Sequence, residues 1–240
     1  ARVEYYFSHF LSRLESRPTF DRVADGAQRK DAEIELEIPM PPGEPTPRVF
    51  PGYNLLFAGT MNEDESTQTL SDKVVDRANV MRFAAPKTAV PEAGATGPAP
   101  EPAQPLERSV WERWLRGREA LGSEGSRMRK HVDKLAEIMG QAGRPFGFRL
   151  GAAMLDYVAN YPTEEGHAPP LAAMADQVEL RLLPKLRGVE IDQARPAIEE
   201  LATHVRDRLD DGELADAIRD SLEESENEVG RFVWRGVRRT

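Results

Sequence analysis

A chain of 240 residues, 40% of them apolar, has material for one large or two modest domains. A net charge of −9 argues against nucleic-acid binding by the whole surface, and the absence of cysteine removes any disulfide framework or thiolate metal site. No apolar run approaches a membrane span, no start resembles a signal peptide, and the four histidines (His9, His131, His167, His204) show no ligand spacing, so a cytoplasmic chain without a metal site is expected.

Residues 2 to 16 put Val3, Tyr6, Phe7, Phe10, Leu11 and Leu14 on one stripe of an amphipathic helix, which Pro18 ends. Neither a capping residue nor an initiator methionine precedes it, as expected for a segment of a longer protein. "AEIELEIP" (32–39) alternates, with Ile34, Leu36 and Ile38 on one face of a half-buried strand. After a Pro- and Gly-rich loop, "NLLFAGT" (54–60) is an unbroken apolar run, which predicts a strand covered on both faces in the middle of a parallel sheet. Asn62 stands where that strand emerges. A short helix follows, with Ser71 as N-cap, Asp72 in its first turn and Arg77 at its end, and "NVMRF" (79–83) reads as one more strand.

Residues 84–108, dominated by Pro, Ala, Gly and Glu, read as an extended linker or insertion. Beyond them the pattern is helical only, near 109–121, 126–141, 147–160, 171–187, 194–210 and 212–228, with "GRFVWRGVRRT" as a tail. Phe148, Ala152, Leu155 and Val158 make one stripe, and Met174, Val178, Leu182 and Leu186 another. Core packing accounts for Trp111 and Trp114, a dipole contact at a helix end for Lys185 and Arg187, and an intramolecular or subunit contact for the arginine-rich tail behind its acidic helix. The fold class is α/β followed by all-α.

Chemistry in open α/β sheets collects at the carboxyl ends of strands, where Asn62 sits. A carboxamide there can orient a water or a phosphate oxygen through donor and acceptor without adding charge. The planar five-donor fork of Arg77 suits a phosphate developing charge in a transition state. The ordinary alternatives are a turn residue for Asn62 and a surface ion pair with Asp72, Asp76 or Glu63 for Arg77. Glu63, Asp64 and Glu65 are consecutive and cannot all converge on one ion, so they read as a solvated loop.

Together these residues carry a resemblance. "GTMNEDESTQTLSDKVVDRANVMRF" resembles the sensor-1 to arginine-finger region of McrB-type AAA+ NTPases, the motor subunits of modification-dependent restriction systems. "ARVEYYFSHFLSRLE" is similar to the helix after the Walker B acids of that group, and "RPFGFRLGAAMLDYVANYP" and "VELRLLPKLRGVEI" to helices of its lid. The resemblance implies that residues 1–83 are the second half of a P-loop AAA+ αβ core and residues 109–240 its helical lid. It implies that Asn62 is sensor 1, aligning the attacking water, and that Arg77 is the arginine finger reaching the adjacent subunit of a homo-oligomeric ring, with Arg82 as the alternative donor. Arg149 falls in the sensor-2 region, with Arg144 competing for that role. ATP or GTP with Mg²⁺, an endonuclease subunit as partner, DNA met through the complex rather than through this segment, and a role in restriction or phage defence are implied likewise. The chain departs from the family pattern in having no G-x-x-x-x-G-K-[ST] and no apolar strand ending in paired acids, so by itself it is expected to be inactive. A MoxR-like remodelling ATPase acting on protein partners and a non-catalytic helical interaction module are the alternatives.

Overall fold

The computed structural model describes residues 10–17, 26–36, 38–52, 55–61, 70, 72–84, 104–162, 171–228 and 230–237. The chain divides into two compact units, Ala1–Ala78 and Asn79–Thr240.

In the first unit residues 10–15 are helical, and Arg17 closes that helix by donating to the carbonyls of Leu14 and Gly52 at 3.2 and 3.1 Å. α1 (Gly26–Asp31) precedes an antiparallel ribbon of β1 (Ile34–Glu35) and β2 (Arg48–Val49), in which Ile34 faces Val49 and Glu35 faces Arg48. The strand expected over 32–39 is therefore cut to two residues, and Ile38 is exposed. Pro39, Pro41 and Pro42 carry no amide hydrogen to extend the ladder, and Gly43 takes a φ of 90° in the turn. α2 (Asp72–Val75) buries Val74 and Val75.

The central strand expected from "NLLFAGT" does not form: residues 55–61 are irregular, and Leu55, Leu56, Phe57 and Met61 are 45%, 76%, 47% and 46% exposed. A strand needs neighbours for its backbone and cover for its faces, and the β1–β2 ribbon supplies neither here. No parallel sheet exists among the described residues. Phe57 does meet Phe10 edge-on, their centroids 4.5 Å apart.

The second unit begins with an extended segment, 79–84, where a strand was expected. It continues with α3 (Arg108–Trp114), a 3-10 turn (Arg118–Leu121), α4 (Glu124–Gln141), α5 (Phe148–Ala159), α6 (Leu171–Gln177), α7 (Ile191–Leu209) and α8 (Gly212–Glu228). Its core is built from helical stripes: Met128, Val132, Leu135 and Met139 on α4 pack in one cluster with Met154 and Val158 on α5, and with Ile198, Leu201 and Val205 on α7. Gly151 lets α5 approach α4, since a Cβ there would lie 3.1 Å from Val132. Asp210, with φ 59° in the left-handed region, turns the chain between α7 and α8. Asp211 then accepts the Leu214 amide at 2.9 Å, an N-cap contact.

The helix expected over 171–187 is interrupted. α6 passes into a π turn (Val178–Leu182) and a 3-10 turn (Leu183–Leu186). Pro184 is the physical cause: it has no amide hydrogen for the Leu180 carbonyl, and its ring crowds that carbonyl out of the helical ladder.

The tail is a structural part of this unit. Phe232 and Trp234 are 0% and 1% exposed within the same core. Phe232 exchanges backbone hydrogen bonds with Val189 and Gly188 at 2.8 and 2.9 Å. Two buried hydroxyls one turn apart on α8, Ser225 and Ser221, accept the amides of Val233 and Arg235 at 3.0 and 3.3 Å. Trp114, expected in the core, is 54% exposed. Among the described residues no helix is long and apolar enough to cross a membrane.

Candidate functional site

Asn62, Glu63, Asp64, Glu65 and Ser71 lie outside the described residues. Arg77 stands just past α2, where the amides of Arg77 and Ala78 both return to the Val74 carbonyl at 3.0 Å. Its guanidinium donates to the Ser12 hydroxyl and lies 3.4 Å from the Glu15 carboxylate, and its side chain is 18% exposed. Helical spacing puts Ser12 and Glu15 on one face of their helix, three residues apart. The arginine therefore has both an oriented hydroxyl and a counter-charge. A carboxylate in this position holds a guanidinium fork in one direction, which is also what a phosphate ligand would require of it.

The two arginines proposed for the lid flank the turn between α4 and α5. Arg144 is structural in its backbone, returning its amide to the Met139 carbonyl at 2.8 Å beside Gly143 at φ 72°. Its side chain donates to the Arg187 carbonyl at 3.2 Å, tying this turn to the end of the 3-10 turn. Arg149, in the first turn of α5, is exposed, next to a fully exposed Phe148. Gly147 begins that helix with no side-chain cap, and its carbonyl accepts the amides of Leu150 and Gly151 at 3.1 and 3.3 Å. Lys185, read from sequence as a helix-end cation, is only 8% exposed.

Sequence reasoning missed one polar contact. His131 on α4 and His204 on α7 bring Nδ1 and Nε2 to 3.3 Å, with ring planes at 71°. Burial, and then the nearby guanidinium groups of Arg127 and Arg208, hold His131 below its ordinary pKa. For His204 the causes are burial, His131, Lys134 and Arg208, with Glu200 opposing. Lys134 bridges the same two helices, 2.8 Å from Glu200. The signal lay in two spacings, Arg127–His131–Lys134 and Glu200–His204–Arg208, each along one helix face. Nothing local joins those faces. Among the described residues no group of three histidine or acidic side chains is placed to hold a metal ion.

Gln177 is a second buried polar group. It is 0% exposed at the junction of α6 and the π turn, and neither its amide nitrogen nor its oxygen has a hydrogen-bond partner. Nearby on α6, Asp176 accepts the Tyr157 hydroxyl at 3.0 Å, and burial followed by the Asp176 charge pushes the Tyr157 pKa up.

Residues 109–238, from α3 to the tail, match a family described as a domain of unknown function, DUF8727. No curated protein and no solved structure matches the chain.

Proposed function

The chain belongs to the DUF8727 family, and we propose that this family domain is here the helical lid of a ring-forming AAA+ NTPase of the McrB type, preceded by the second half of its αβ core. The observation that carries the reading is the state of residues 55–61. The most apolar stretch of the first unit is exposed at Leu55, Leu56, Phe57 and Met61, as the inner strand of a sheet is when its neighbours are absent. Strands from upstream of Ala1 are the occupants this reading gives that surface. The helical unit needs no such completion, because it encloses its own core.

In this reading Asn62 orients the attacking water and Arg77 donates to a neighbouring subunit's phosphate, with Arg82 as the alternative donor. Arg149, or Arg144, reaches the nucleotide from the lid. The fork of Arg77 is matched to a phosphate, but the chain has no phosphate-cradling loop, and its described residues have no acid cluster for Mg²⁺. ATP or GTP with Mg²⁺ is therefore held by upstream residues, and no step through the metal follows from this chain. The motor drives an endonuclease partner on DNA in restriction or phage defence. A MoxR-like remodelling ATPase would use the same parts on protein partners.

The test is a mixing experiment on the protein extended upstream. Asn62→Ala and Arg77→Ala are each expected to assemble and to lose NTP hydrolysis. Randomly mixed rings should regain activity at about a quarter of their interfaces, where an intact Asn62 meets an intact Arg77. Exchange of subunits without recovery moves the finger to Arg82 or removes it.

One observation favours a second reading, the non-catalytic helical interaction module. Arg77 is already engaged by Ser12 and Glu15 of its own unit, as a structural ion pair would be. In that case the upstream-extended protein carries no G-x-x-x-x-G-K-[ST], and neither variant changes any hydrolysis.

A further inference from the structure

Residues 79–84 belong to the helical unit, although they lie upstream of the family match over 109–238. They alternate along an extended backbone: Val80, Arg82 and Ala84 are partly buried, while Met81 and Phe83 are 62% and 85% exposed. Consecutive residues of this segment meet consecutive residues of the π turn. The Val80 amide donates to the Leu180 carbonyl at 2.9 Å, and Arg181 donates through Nε to the Asn79 side-chain oxygen at 2.9 Å. In a regular helix that carbonyl would take the amide of residue 184, which as Pro184 has none to give. At the other end the segment runs against the tail at Gly236. There φ is 88°, and a Cβ would stand 2.5 Å from the Arg82 carbonyl and 3.0 Å from the Ala84 amide. Only a glycine fits that approach.

We propose that the π turn and the tail of the helical unit form a receptor for one extended peptide segment, and that residues 79–84 are its built-in ligand. Neither reading of the chain's function is needed for this. Leu180 offers an acceptor, Arg181 a donor, and Gly236 the room for a backbone to pass. The receptor therefore reads main chain, as in strand addition, and the outward Met81 and Phe83 contribute nothing to the hold. Its ligand class follows from the contacts: an extended segment with a carboxamide side chain directly ahead of a residue that keeps its amide hydrogen. Leu180, Arg181, Pro184 and Gly236 all fall within the family match, whereas the ligand falls outside it. The matched domain thus carries the site, and the same chain fills it from upstream. By chain order, residues 85–103 tether the segment to α3 of its own receptor and so raise its effective concentration there.

Hydrogen exchange on the full chain is the first test. The Val80 amide should be protected, and Gly236→Ala should speed its exchange roughly five- to tenfold, the loss of about one hydrogen bond, while amides of α4 and α7 keep their rates. An unprotected Val80 in the unaltered chain, or a rate that Gly236→Ala leaves alone, overturns the receptor. The second test vacates the site by replacing residues 79–84 of the full chain with an equal number of glycines and serines. A synthetic peptide of residues 78–85, added at about 1 mM, should then move the amide resonances around Leu180 and Gly236 saturably. The same peptide methylated on the Val80 nitrogen should bind roughly five- to tenfold more weakly. Resonances that do not move, or equal binding of the methylated peptide, overturn a receptor that reads main chain.

Discussion

The two units differ in how far they enclose an apolar core, although Phe148 and Trp114 of the helical unit also stand in solvent. The helical unit encloses Met128, Leu135, Met154, Leu182 and Trp234 almost completely. The first unit buries Ala32, Val74 and Val75 but leaves Leu55, Leu56 and Phe57 largely in solvent. The difference lies in where each element finds its hydrogen bonds. A helix satisfies its backbone from its own sequence and needs cover on one stripe only. An inner strand needs flanking strands and two covered faces before it exists at all. The helical unit therefore closes on its own stripes, whereas the described residues of the first unit leave the 55–61 run without a sheet.

Four experiments break or sharpen that contrast. The largest effect is expected from Trp234→Ala, which empties a fully enclosed site and should cost about 3–5 kcal/mol in urea unfolding of the helical unit. A loss below about 1 kcal/mol would mean that the tail is dispensable to this core. Gln177→Met should act in the opposite direction. It replaces a buried, unbonded carboxamide by an apolar side chain of similar size, so a gain of about 1–3 kcal/mol is expected in the same assay. A loss would reveal a bound water or partner at that amide.

Acid provides a gentler probe of the α4–α7 contact. Both imidazoles titrate below 6.5 when folded, so their contribution is whole above 6.5. As pH falls from there through the folded values, the unfolded chain takes up protons first and stability is lost. The melting temperature of the helical unit should therefore drop between pH 7.5 and 5, and a chain carrying both His131→Gln and His204→Gln should show a flatter profile. An unchanged slope would assign the acid sensitivity to other groups. The smallest effect belongs to the first unit. Leu56→Ser, at a position 76% exposed, should shift stability by no more than about 0.5 kcal/mol. A loss as large as that of Trp234→Ala would erase the contrast.

What could be read from sequence follows the same division. The expected helices at 126–141, 147–160 and 212–228 correspond to α4, α5 and α8, because stripe and boundary signals are local. Pro184 was visible, but its effect on a helix expected to run through it depends on how the Leu180 carbonyl is used once released. Burial of Phe232 and Trp234 needed the serines of α8, and the His131–His204 contact needed two helices brought together. The apolar character of 55–61 was plain, yet cover is a property of neighbours, and among the described residues Phe10 meets Phe57 while Leu56 stays 76% exposed. At the candidate site, the place of Arg77 at the end of α2 was legible, while its partners Ser12 and Glu15 lie far away in the chain. Asn62 lies outside the described residues, so its role is carried by the resemblance alone.

The hooked tail also sets a schedule for synthesis. The ribosome makes residues 230–237 after every helix of the unit, yet Phe232 and Trp234 belong to the middle of its core. Helices α4 to α8 therefore emerge before the two aromatic side chains that complete their core, and stay open to chaperones and proteases until residues 230–237 follow. A premature stop codon placed just before Phe232 would spare every helix of the unit and still leave the product in that unfinished state.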